Sequence, residues 1–293
     1  MGPAERRRGG YPADMLLRSL LGLATVVLTS GMAACAEPPV RWRESVAAPS
    51  ALVPEMRLAL DTGGRVQWLP PEPPPPSVPG ASGACPGSLR VARSGAQDVY
   101  AVWWQPRPDS SAALLAARSA DGGRSWPQIA PVDTADRGLS GCRRPAASVA
   151  ADAITGYVHV AYSLVAPGAP GVFFAHSPPD HFMFHTPVPI VYGERLGRTS
   201  VAAHGEVVAV AYEDPNAAEP RVGLALSRTL GHMFEHRVAA STGIGAAVEP
   251  CVAVSGATVA VAWRQKRSAR GLASEDPPAD GAMMVRLGEL SGP

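Results

Sequence analysis

Residues 119–126 read SADGGRSW, and two later stretches of the chain share their spacing of serine and aromatic residue. The later stretches are SPPDHFMF, residues 177–184, and SRTLGHMF, residues 227–234. Each begins with serine and ends seven residues later with tryptophan or phenylalanine. A segment that returns in this way indicates a turn repeated together with the fold, and it argues against a single ligand site built around Asp121.

Each copy follows a short run in which apolar residues alternate with a period of two. Four such runs occupy residues 100–104, 158–162, 208–212 and 259–263, and each ends in tryptophan or tyrosine. The final aromatic residues are 58, 50 and 51 residues apart, and the serine of each copy lies fifteen residues after the aromatic residue. Strict alternation over such short lengths predicts β-strands, and the long period predicts an array of all-β units.

The pattern Ser119-x-Asp121-x-Gly123-x-Ser125-Trp126 resembles the Asp-box of bacterial neuraminidase repeats, which is found in sialidase-like β-propellers. The resemblance extends over residues 85–293 in four units. It implies an all-β fold, a sialidase-like β-propeller with at least four recognisable blades of short antiparallel strands. Catalytic members of the family have six blades, so either this ring is smaller or further repeats have diverged beyond recognition.

The box residues have a physical role in a tight turn. The aspartate accepts hydrogen bonds from backbone N–H groups, the glycine adopts a positive φ, and the aromatic ring is buried against the blade. The resemblance places such boxes at the blade periphery, away from the active centre. We therefore predict a structural role for Ser119, Asp121, Gly123 and Trp126.

The other copies of the box are degenerate, and this supports the structural interpretation. The second has Pro179 and the third has Thr229 where the first has aspartate, and the fourth unit keeps only Ser274, eleven residues past Trp263, and Asp276. A turn can be formed by several residue types, whereas a catalytic aspartate cannot be replaced by proline or threonine.

The N-terminal region is typical of an export signal. An arginine-containing start at residues 15–19 precedes an apolar run, residues 20–28, that is too short to span a bilayer comfortably. Met32-Ala33-Ala34-Cys35 then resembles a bacterial lipobox, so residues 1–34 are predicted to be a signal peptide, with Met1 or Met15 as the true start. Lipidated Cys35 would anchor the exported protein to a membrane of the cell envelope, facing the periplasm or the exterior. An ordinary signal peptide with an incidental cysteine is the alternative.

Residues 35–84 are predicted to contain the lipid-anchor point and a proline-rich linker, and residues 85–293 the propeller domain. The segment PPEPPPPSVPG, residues 70–80, favours an extended polyproline conformation that would hold the domain away from the membrane. Residues 56–68 could form one hairpin around a Gly-Gly turn.

The cysteines fit an exported protein. Cys85 lies 19 residues before Trp104, and Cys142 lies 20 residues before Tyr162, so the two cysteines occupy near-equivalent positions in neighbouring units. Since disulfides form outside the cytoplasm, this equivalence leads to the hypothesis of a Cys85–Cys142 disulfide. Cys251 is predicted to be a buried thiol within a strand.

Related sialidases use an arginine cluster to hold the substrate carboxylate, a tyrosine nucleophile with a supporting glutamate, and an acid/base aspartate. Arg143-Arg144-Pro145 resembles the family's Arg-x-Pro motif, which makes Arg143 the candidate catalytic residue. The motif here follows a complete box, whereas in the family it opens the first blade. No acidic residue lies between Tyr162 and Pro179, where the acid/base group is expected. A solvated arginine pair at a blade entrance is the alternative.

Other polar groups offer weaker candidates. Glu213 and Asp214 are adjacent on an extended chain, so their side chains are expected to face opposite sides. The stretch Tyr192-Gly193-Glu194-Arg195 contains suitable residue types, but nothing in it positions a base.

Histidines surround the second and third copies of the box. His176, His181 and His185 span a strand, a turn and the next strand, while His232 and His236 occupy turn positions of the third copy. No further ligand pattern accompanies either group. We therefore expect no metal site and no cofactor, with His232 and His236 as surface polar residues.

Composition excludes some classes of function. The formal net charge is +1, with 46% hydrophobic and 17% charged residues, which indicates a globular protein and no nucleic-acid partner.

The protein is expected to be a monomer, and two functional classes fit its sequence. The first is a surface-anchored, non-catalytic propeller that binds a glycan or an envelope protein, and the alternative is an exo-sialidase or related glycoside hydrolase. The missing acid and nucleophile motifs favour the first, and a structural envelope component is a third possibility.

Overall fold

The computed structural model describes residues 37–48, 57–73, 77–138, 141–266 and 281–292. Within these ranges the chain forms eighteen β-strands and one short 3-10 helix, Ala81–Gly83. No helix of this described part is long and apolar enough to cross a membrane. The predicted signal peptide, residues 1–34, and the predicted lipidation site Cys35 lie outside the described residues.

The strands, in chain order, are β1 (Val40–Ala47), β2 (Arg57–Leu60), β3 (Val66–Leu69), β4 (Arg90–Ser94), β5 (Asp98–Pro106), β6 (Ala112–Ser119), β7 (Gln128–Asp133), β8 (Ser148–Ala151), β9 (Val158–Val165), β10 (Pro170–Ser177), β11 (Val188–Tyr192), β12 (Thr199–His204), β13 (Val207–Glu213), β14 (Val222–Ser227), β15 (His236–Ala239), β16 (Ala247–Ser255), β17 (Thr258–Gln265) and β18 (Ala282–Leu290).

Sixteen of these strands form four antiparallel four-stranded sheets, which we call blades 1 to 4. Blade 1 contains β4 to β7, blade 2 contains β8 to β11, and blade 3 contains β12 to β15, each in chain order across the sheet. Blade 4 has the order β16, β17, β18, β1, and the remaining strands β2 and β3 form a separate hairpin. The fold is therefore all-β and built from blade-like repeats.

The N-terminal strand completes the last blade. Strand β1 pairs with β18 over a register from Val40 opposite Leu290 to Ala47 opposite Met284. The compact unit accordingly begins at Glu37 and continues to the end of the chain. This corrects the domain boundary predicted at residue 85, because without β1 the backbone N–H and C=O groups on one edge of β18 would lose their partners.

The second strand of each blade is buried on both faces, because nearly all of its residues are apolar. In β9, Val160, Tyr162 and Leu164 pack against blade 1, while Ala161 packs against blade 3. In β17, Val261 and Trp263 likewise belong to the cluster shared with blade 3. Each pair of consecutive blades is thus joined by its own hydrophobic cluster.

Serine side chains add a repeated polar contact between the first strands of consecutive blades. The hydroxyl of Ser148 accepts a hydrogen bond from the backbone N–H of Val201 at 3.0 Å, and the hydroxyl of Ser200 accepts one from Val252 at 3.1 Å. Because equivalent residues of β8, β12 and β16 meet in this way, these strands lie side by side with their starting ends together.

Over the described residues, the four blades do not close into a ring. None of the hydrophobic clusters of the described residues joins blade 1 to blade 4. The free face of blade 4 is covered by the β2–β3 hairpin through Leu58, and that of blade 1 by the segment around Val78. Glu72 connects the two ends through ion pairs with Arg57 of the hairpin at 2.9 Å and Arg93 of blade 1 at 2.7 Å.

The strand pairing corrects the alignment of the first repeat. Ser119 pairs with Val99, and Ser177 pairs with Val158 in blade 2. Trp103, four residues after Val99, therefore corresponds to Tyr162, whereas the aromatic spacing had suggested Trp104. The connection from β5 to β6 is one residue longer than the connection from β9 to β10. The adjacent tryptophans Trp103 and Trp104 hide this difference in the sequence.

Blade 4 has no box for a topological reason. The boxes lie between the third and fourth strands of blades 1 to 3, and blade 4 takes its fourth strand from the N-terminus. The position equivalent to the box serine is Gly288, which pairs with Val259. Ser274 and Asp276 belong to the connection between β17 and β18, and they lie outside the described residues.

The structure contains a disulfide between Cys85 and Cys142, with a Cα–Cα distance of 5.1 Å. Cys85 precedes β4 and Cys142 precedes β8, so the disulfide connects blade 1 to the segment that enters blade 2. Cys251 in β16 is a free thiol, and burial together with nearby Glu249 raises its pKa to about 11.

Replacing both Cys85 and Cys142 with serine should lower the free energy of unfolding by about 2–4 kcal/mol, because the crosslink closes a long loop. The two cysteines are 57 residues apart in the sequence. Urea denaturation of the double variant and of the oxidised wild type measures the difference. Wild type with the disulfide reduced should have the same free energy of unfolding as the double variant. The Cys251→Ser variant should keep the stabilisation that the disulfide provides. Equal stability of the double variant and the oxidised wild type would contradict the prediction.

Candidate functional site

The first box forms a closed hydrogen-bonded turn after β6. The Ser119 hydroxyl accepts a hydrogen bond from the N–H of Gly123 at 2.8 Å and donates one to a carboxylate oxygen of Asp121 at 2.7 Å. That carboxylate also accepts hydrogen bonds from the N–H groups of Arg124 and Ser125, both at 2.9 Å, and from the Ser125 hydroxyl at 2.6 Å. These donors hold the pKa of Asp121 far below its usual range, with the Ser125 hydroxyl as the largest cause.

The third box makes the same turn with a different residue. The Ser227 hydroxyl accepts a hydrogen bond from the N–H of Gly231 at 3.0 Å, as Ser119 does from Gly123. Thr229 stands at the aspartate position, and its hydroxyl accepts a hydrogen bond from the N–H of Met233 at 3.1 Å. The carboxylate is therefore one of several acceptors that can hold this turn.

Asp121→Ala should lower the urea midpoint of unfolding above pH 4 and have less effect in stronger acid. The carboxylate pKa is lowered in the folded state, so its contribution is present above the unfolded value and is lost as the pH falls below it. Denaturation curves at several pH values measure this, with exposed Asp180→Ala in the second box as control. Equal midpoints for Asp121→Ala and wild type at neutral pH would contradict the structural role.

The loops that precede the first strands of the blades lie at one end of the array, which we call the loop face. Adjacent loops are hydrogen-bonded there: the N–H of Gly141 donates to the Ser110 carbonyl at 2.8 Å, and the N–H of Arg137 donates to the Val165 carbonyl at 2.8 Å. The boxes are at the opposite ends of the blades, which we call the turn face.

Arg143 lies on the loop face in a firmly held segment. On one side of it, Cys142 is in the disulfide. On the other side, the Arg144 side chain is only 2% exposed, pairs with Asp136 at 2.7 Å and stacks over the Trp104 ring at 5.1 Å. The Trp104 indole N–H donates to the Pro145 carbonyl at 2.9 Å. Arg143 itself is exposed to solvent.

Further arginines extend from the same face. Arg137, Arg195 and Arg198 are exposed and Arg107 is half-buried, and within the described residues neither they nor Arg143 form a salt bridge. By contrast, Arg264 is held by Glu249 at 2.7 Å. The loop face therefore presents several free guanidinium groups, which can hold carboxylates bidentately.

Two candidate groups near this face, the Tyr162 phenol and the Glu213 carboxylate, are already engaged. Tyr162 is fully buried and donates to Asp133 at 2.7 Å, and burial raises its pKa well above the usual range, so it remains a neutral phenol. The two carboxylate oxygens of Glu213 accept hydrogen bonds from the N–H groups of Glu249 at 2.8 Å and Arg198 at 3.2 Å. Neither pair is arranged as a nucleophile beside its supporting base.

Of the other residues considered from the sequence, Asp214 and the backbone of Tyr192 have local partners, whereas Glu194 and Arg195 are open to solvent. Asp214 accepts a hydrogen bond from the N–H of Asn216 at 2.9 Å, as in a turn. Tyr192 is 52% exposed at the end of β11, and its carbonyl accepts a hydrogen bond from the Asn216 amide at 2.7 Å. Glu194 and Arg195 are exposed in the following loop.

The histidines of the turn face are arranged differently from the sequence grouping. His176, His185 and His232 lie together, with potential ligand atoms within 4.8 Å of one another. His181 stays outside this cluster and contacts Asp180. The sequence placed His232 among surface polar residues, because only the packing of blade 2 on blade 3 brings it to His176.

His159 is a buried histidine that no motif of the sequence distinguishes. It is opposite His176 across strands β9 and β10, and neither ring nitrogen has a hydrogen-bond partner among the described residues. Its ring stacks between Tyr157 and Phe174. Burial, assisted by nearby His176 and opposed by Asp152, lowers its pKa to about 3.

His159→Phe should stabilise the protein by about 1–3 kcal/mol at neutral pH, because it keeps the ring stack and removes two unpaired polar atoms. The gain should increase as the pH falls below about 6.5, since the unfolded histidine then binds a proton that the folded one excludes. Urea denaturation at pH 7.5 and pH 5 tests this, with exposed His181→Phe as control. A gain that stays constant between the two pH values would contradict the prediction.

Comparisons with known proteins give structural neighbours only. No family model and no curated protein matches the chain. A Trypanosoma rangeli sialidase in complex with 2,3-difluorosialic acid aligns with a TM-score of 0.43 and 12% identity over 78% of this chain and 40% of that one. The Hadza microbial sialidase Hz136 aligns at 0.40 and 15% identity, over 63% of this chain and 42% of that one.

A thermostable family-43 glycoside hydrolase is another neighbour, with a TM-score of 0.38 and 15% identity over 70% of this chain and 74% of that one. This chain spans less than half of the length of the two sialidases. The roles of residues therefore have to come from this chain's own geometry.

Proposed function

We propose that this protein is an exported lipoprotein, anchored through Cys35, whose sialidase-like blades form a non-catalytic module for binding carboxylate-bearing glycans. The observation that carries the proposal is the rigidly held, solvent-exposed Arg143 on the loop face, which also carries other arginines without salt bridges among the described residues. The Asp-box turns have a structural role at the other end of the blades. Anchoring rests on the lipobox-like sequence that ends at Cys35.

The position of Arg143 favours binding because its backbone loses little conformational entropy when a ligand binds. Its two chain neighbours are fixed by a disulfide and by a buried ion pair, so the backbone at Arg143 is already in place. An exposed guanidinium without a protein carboxylate keeps its donors free for an anionic ligand. Acidic sugars supply a planar carboxylate that matches this donor geometry.

Binding without hydrolysis is favoured because the chemistry of glycoside cleavage needs two further groups. A nucleophile and a proton donor must flank the scissile bond at a defined separation. On the loop face, Tyr162 is buried against Asp133, and both oxygens of Glu213 are hydrogen-bonded to backbone N–H groups. These groups support the frame of the face.

An exo-sialidase is the second candidate, and one observation favours it. Arg143 precedes β8 as part of an Arg-x-Pro sequence, the motif that holds the substrate carboxylate in the family that this chain resembles. Binding and turnover therefore have to be measured on the same protein sample.

The test uses the purified protein with 3′-sialyllactose and a galacturonate oligosaccharide as acidic probes, and lactose as the neutral probe. Arg143→Ala should weaken binding of an acidic probe by about 1.5–3 kcal/mol, or roughly 10- to 150-fold in Kd, because it removes a charge-assisted pair. Arg65→Ala is the matched control, since Arg65 is exposed on the β2–β3 hairpin next to the turn face. Calorimetry measures affinity, and a fluorogenic sialic-acid substrate measures hydrolysis.

Acidic-probe binding without turnover, sensitive to Arg143→Ala and insensitive to Arg65→Ala, would support the binding module. Turnover that Arg143→Ala abolishes would instead establish the enzyme candidate. Absence of binding to either acidic probe by folded protein would overturn the glycan proposal and direct attention to an envelope protein as partner.

A further inference from the structure

We propose that His176, His185 and His232 form a binding site for a divalent transition-metal ion, with Zn²⁺ as the favoured ion, at the junction of blades 2 and 3. One potential ligand nitrogen from each histidine lies within 4.8 Å of the other two. The site is on the turn face, and it is independent of the glycan-binding function proposed for the loop face.

The three histidines come from separate parts of the fold that meet at this junction. His176 is near the end of β10, and His185 lies in the connection from β10 to β11. The backbone N–H of His185 donates to the carbonyl of His176 at 2.9 Å, which holds the two residues side by side. His232 belongs to the turn between β14 and β15, the third box.

The third box is shaped to approach His176 closely. Gly231 has a φ of 86°, and a Cβ atom at this position would lie 2.4 Å from the Phe174 ring and 3.3 Å from Nδ1 of His176. Only glycine therefore permits the turn to rest on this part of blade 2. The following residue, His232, is consequently held with its ring centroid 4.4 Å from that of His176.

Hydrogen bonding directs a ligand lone pair of His176 toward the other two histidines. Nδ1 of His176 lies 2.8 Å from the Leu230 carbonyl, and because a carbonyl only accepts, this nitrogen carries the proton. Nε2 of neutral His176 then has a free lone pair. A backbone carbonyl on the outer nitrogen is the usual way in which proteins fix the tautomer of a metal-binding histidine.

The contact between His176 and His185 is a replaceable hydrogen bond. Nε2 of His176 lies 2.8 Å from Nδ1 of His185, so His185 must donate its proton to His176 when no metal is bound. A metal ion between the rings would use both lone pairs, and His185 would then place its proton on the outer nitrogen Nε2. Small rotations of the two exposed rings would bring all three nitrogens to metal-ligand distance.

The chemistry of the three ligands suits a transition-metal ion. Imidazole nitrogens select zinc, copper and nickel over calcium and magnesium, which prefer oxygen ligands.

An open pocket adjoins the cluster and leaves room for a fourth ligand. Its volume is ≈540 Å³, and besides the three histidines it is lined by Phe184, Thr186 and Val188. Three histidines with an open fourth position form a tetrahedral arrangement that zinc accepts, with water or a small anion completing the coordination. A bound ion would connect blade 2 to blade 3 and stabilise the folded state.

The test is titration of untagged, chelator-treated and dialysed protein with ZnCl₂ at pH 7.5, followed by calorimetry. Wild type should bind one Zn²⁺ per chain and unfold at a higher temperature when it is bound. His185→Ala and His232→Ala, which remove exposed side chains, should each weaken binding by about tenfold or more. His181→Ala is the matched control, because this exposed histidine is near the cluster without belonging to it.

Two further readouts keep the result unambiguous. Near-ultraviolet circular dichroism shows whether each variant is folded as the wild type is. Co²⁺ in place of Zn²⁺ should give the visible absorption of tetrahedral coordination in wild type and His181→Ala, and lose it in His232→Ala. Folded wild type without saturable Zn²⁺ binding, or equal affinities of wild type, His185→Ala and His232→Ala, would overturn the proposal.

Discussion

The rest of the structure depends on one packing constraint: the middle strands of the blades are buried on both faces. A strand such as β9, with Tyr162 on one side and Ala161 on the other, has to lie between two neighbouring sheets. No blade is therefore stable alone, and the outer faces of an open array have to be covered. The β2–β3 hairpin and the segment around Val78 provide these covers, and β1 pairs with the exposed edge of β18.

The same constraint explains why the turns of different blades have the same form although their residue types differ. Every turn from a third to a fourth strand needs an acceptor for its backbone N–H groups and an aromatic ring on the blade. In blade 1 these are Asp121 and the buried Trp126, and in blade 3 they are Thr229 and the buried Phe234. Since a carboxylate or a hydroxyl can be the acceptor, the aspartate could be replaced without loss of the fold.

The two ends of the blades carry different chemistry. The loop face combines fixed supports, such as the Cys85–Cys142 disulfide and the Arg144–Asp136 pair, with free arginines. The turn face contains three histidines that are brought together between two blades. Both arrangements depend on contacts between blades. Because the blades pack rigidly, they bring together side chains from loops that are far apart in sequence.

The sequence by itself determined the all-β class, the positions of the middle strands and the turns after three of the blades, because alternation and turn chemistry are local properties. The near-equivalent positions of Cys85 and Cys142 also predicted the disulfide between them. Only the tertiary structure decided that β1 completes blade 4, that Trp103 rather than Trp104 corresponds to Tyr162, and that His232 meets His176. Such relations arise when distant segments pack together, and no local pattern of residues encodes which strand edge or which neighbouring turn a side chain will meet.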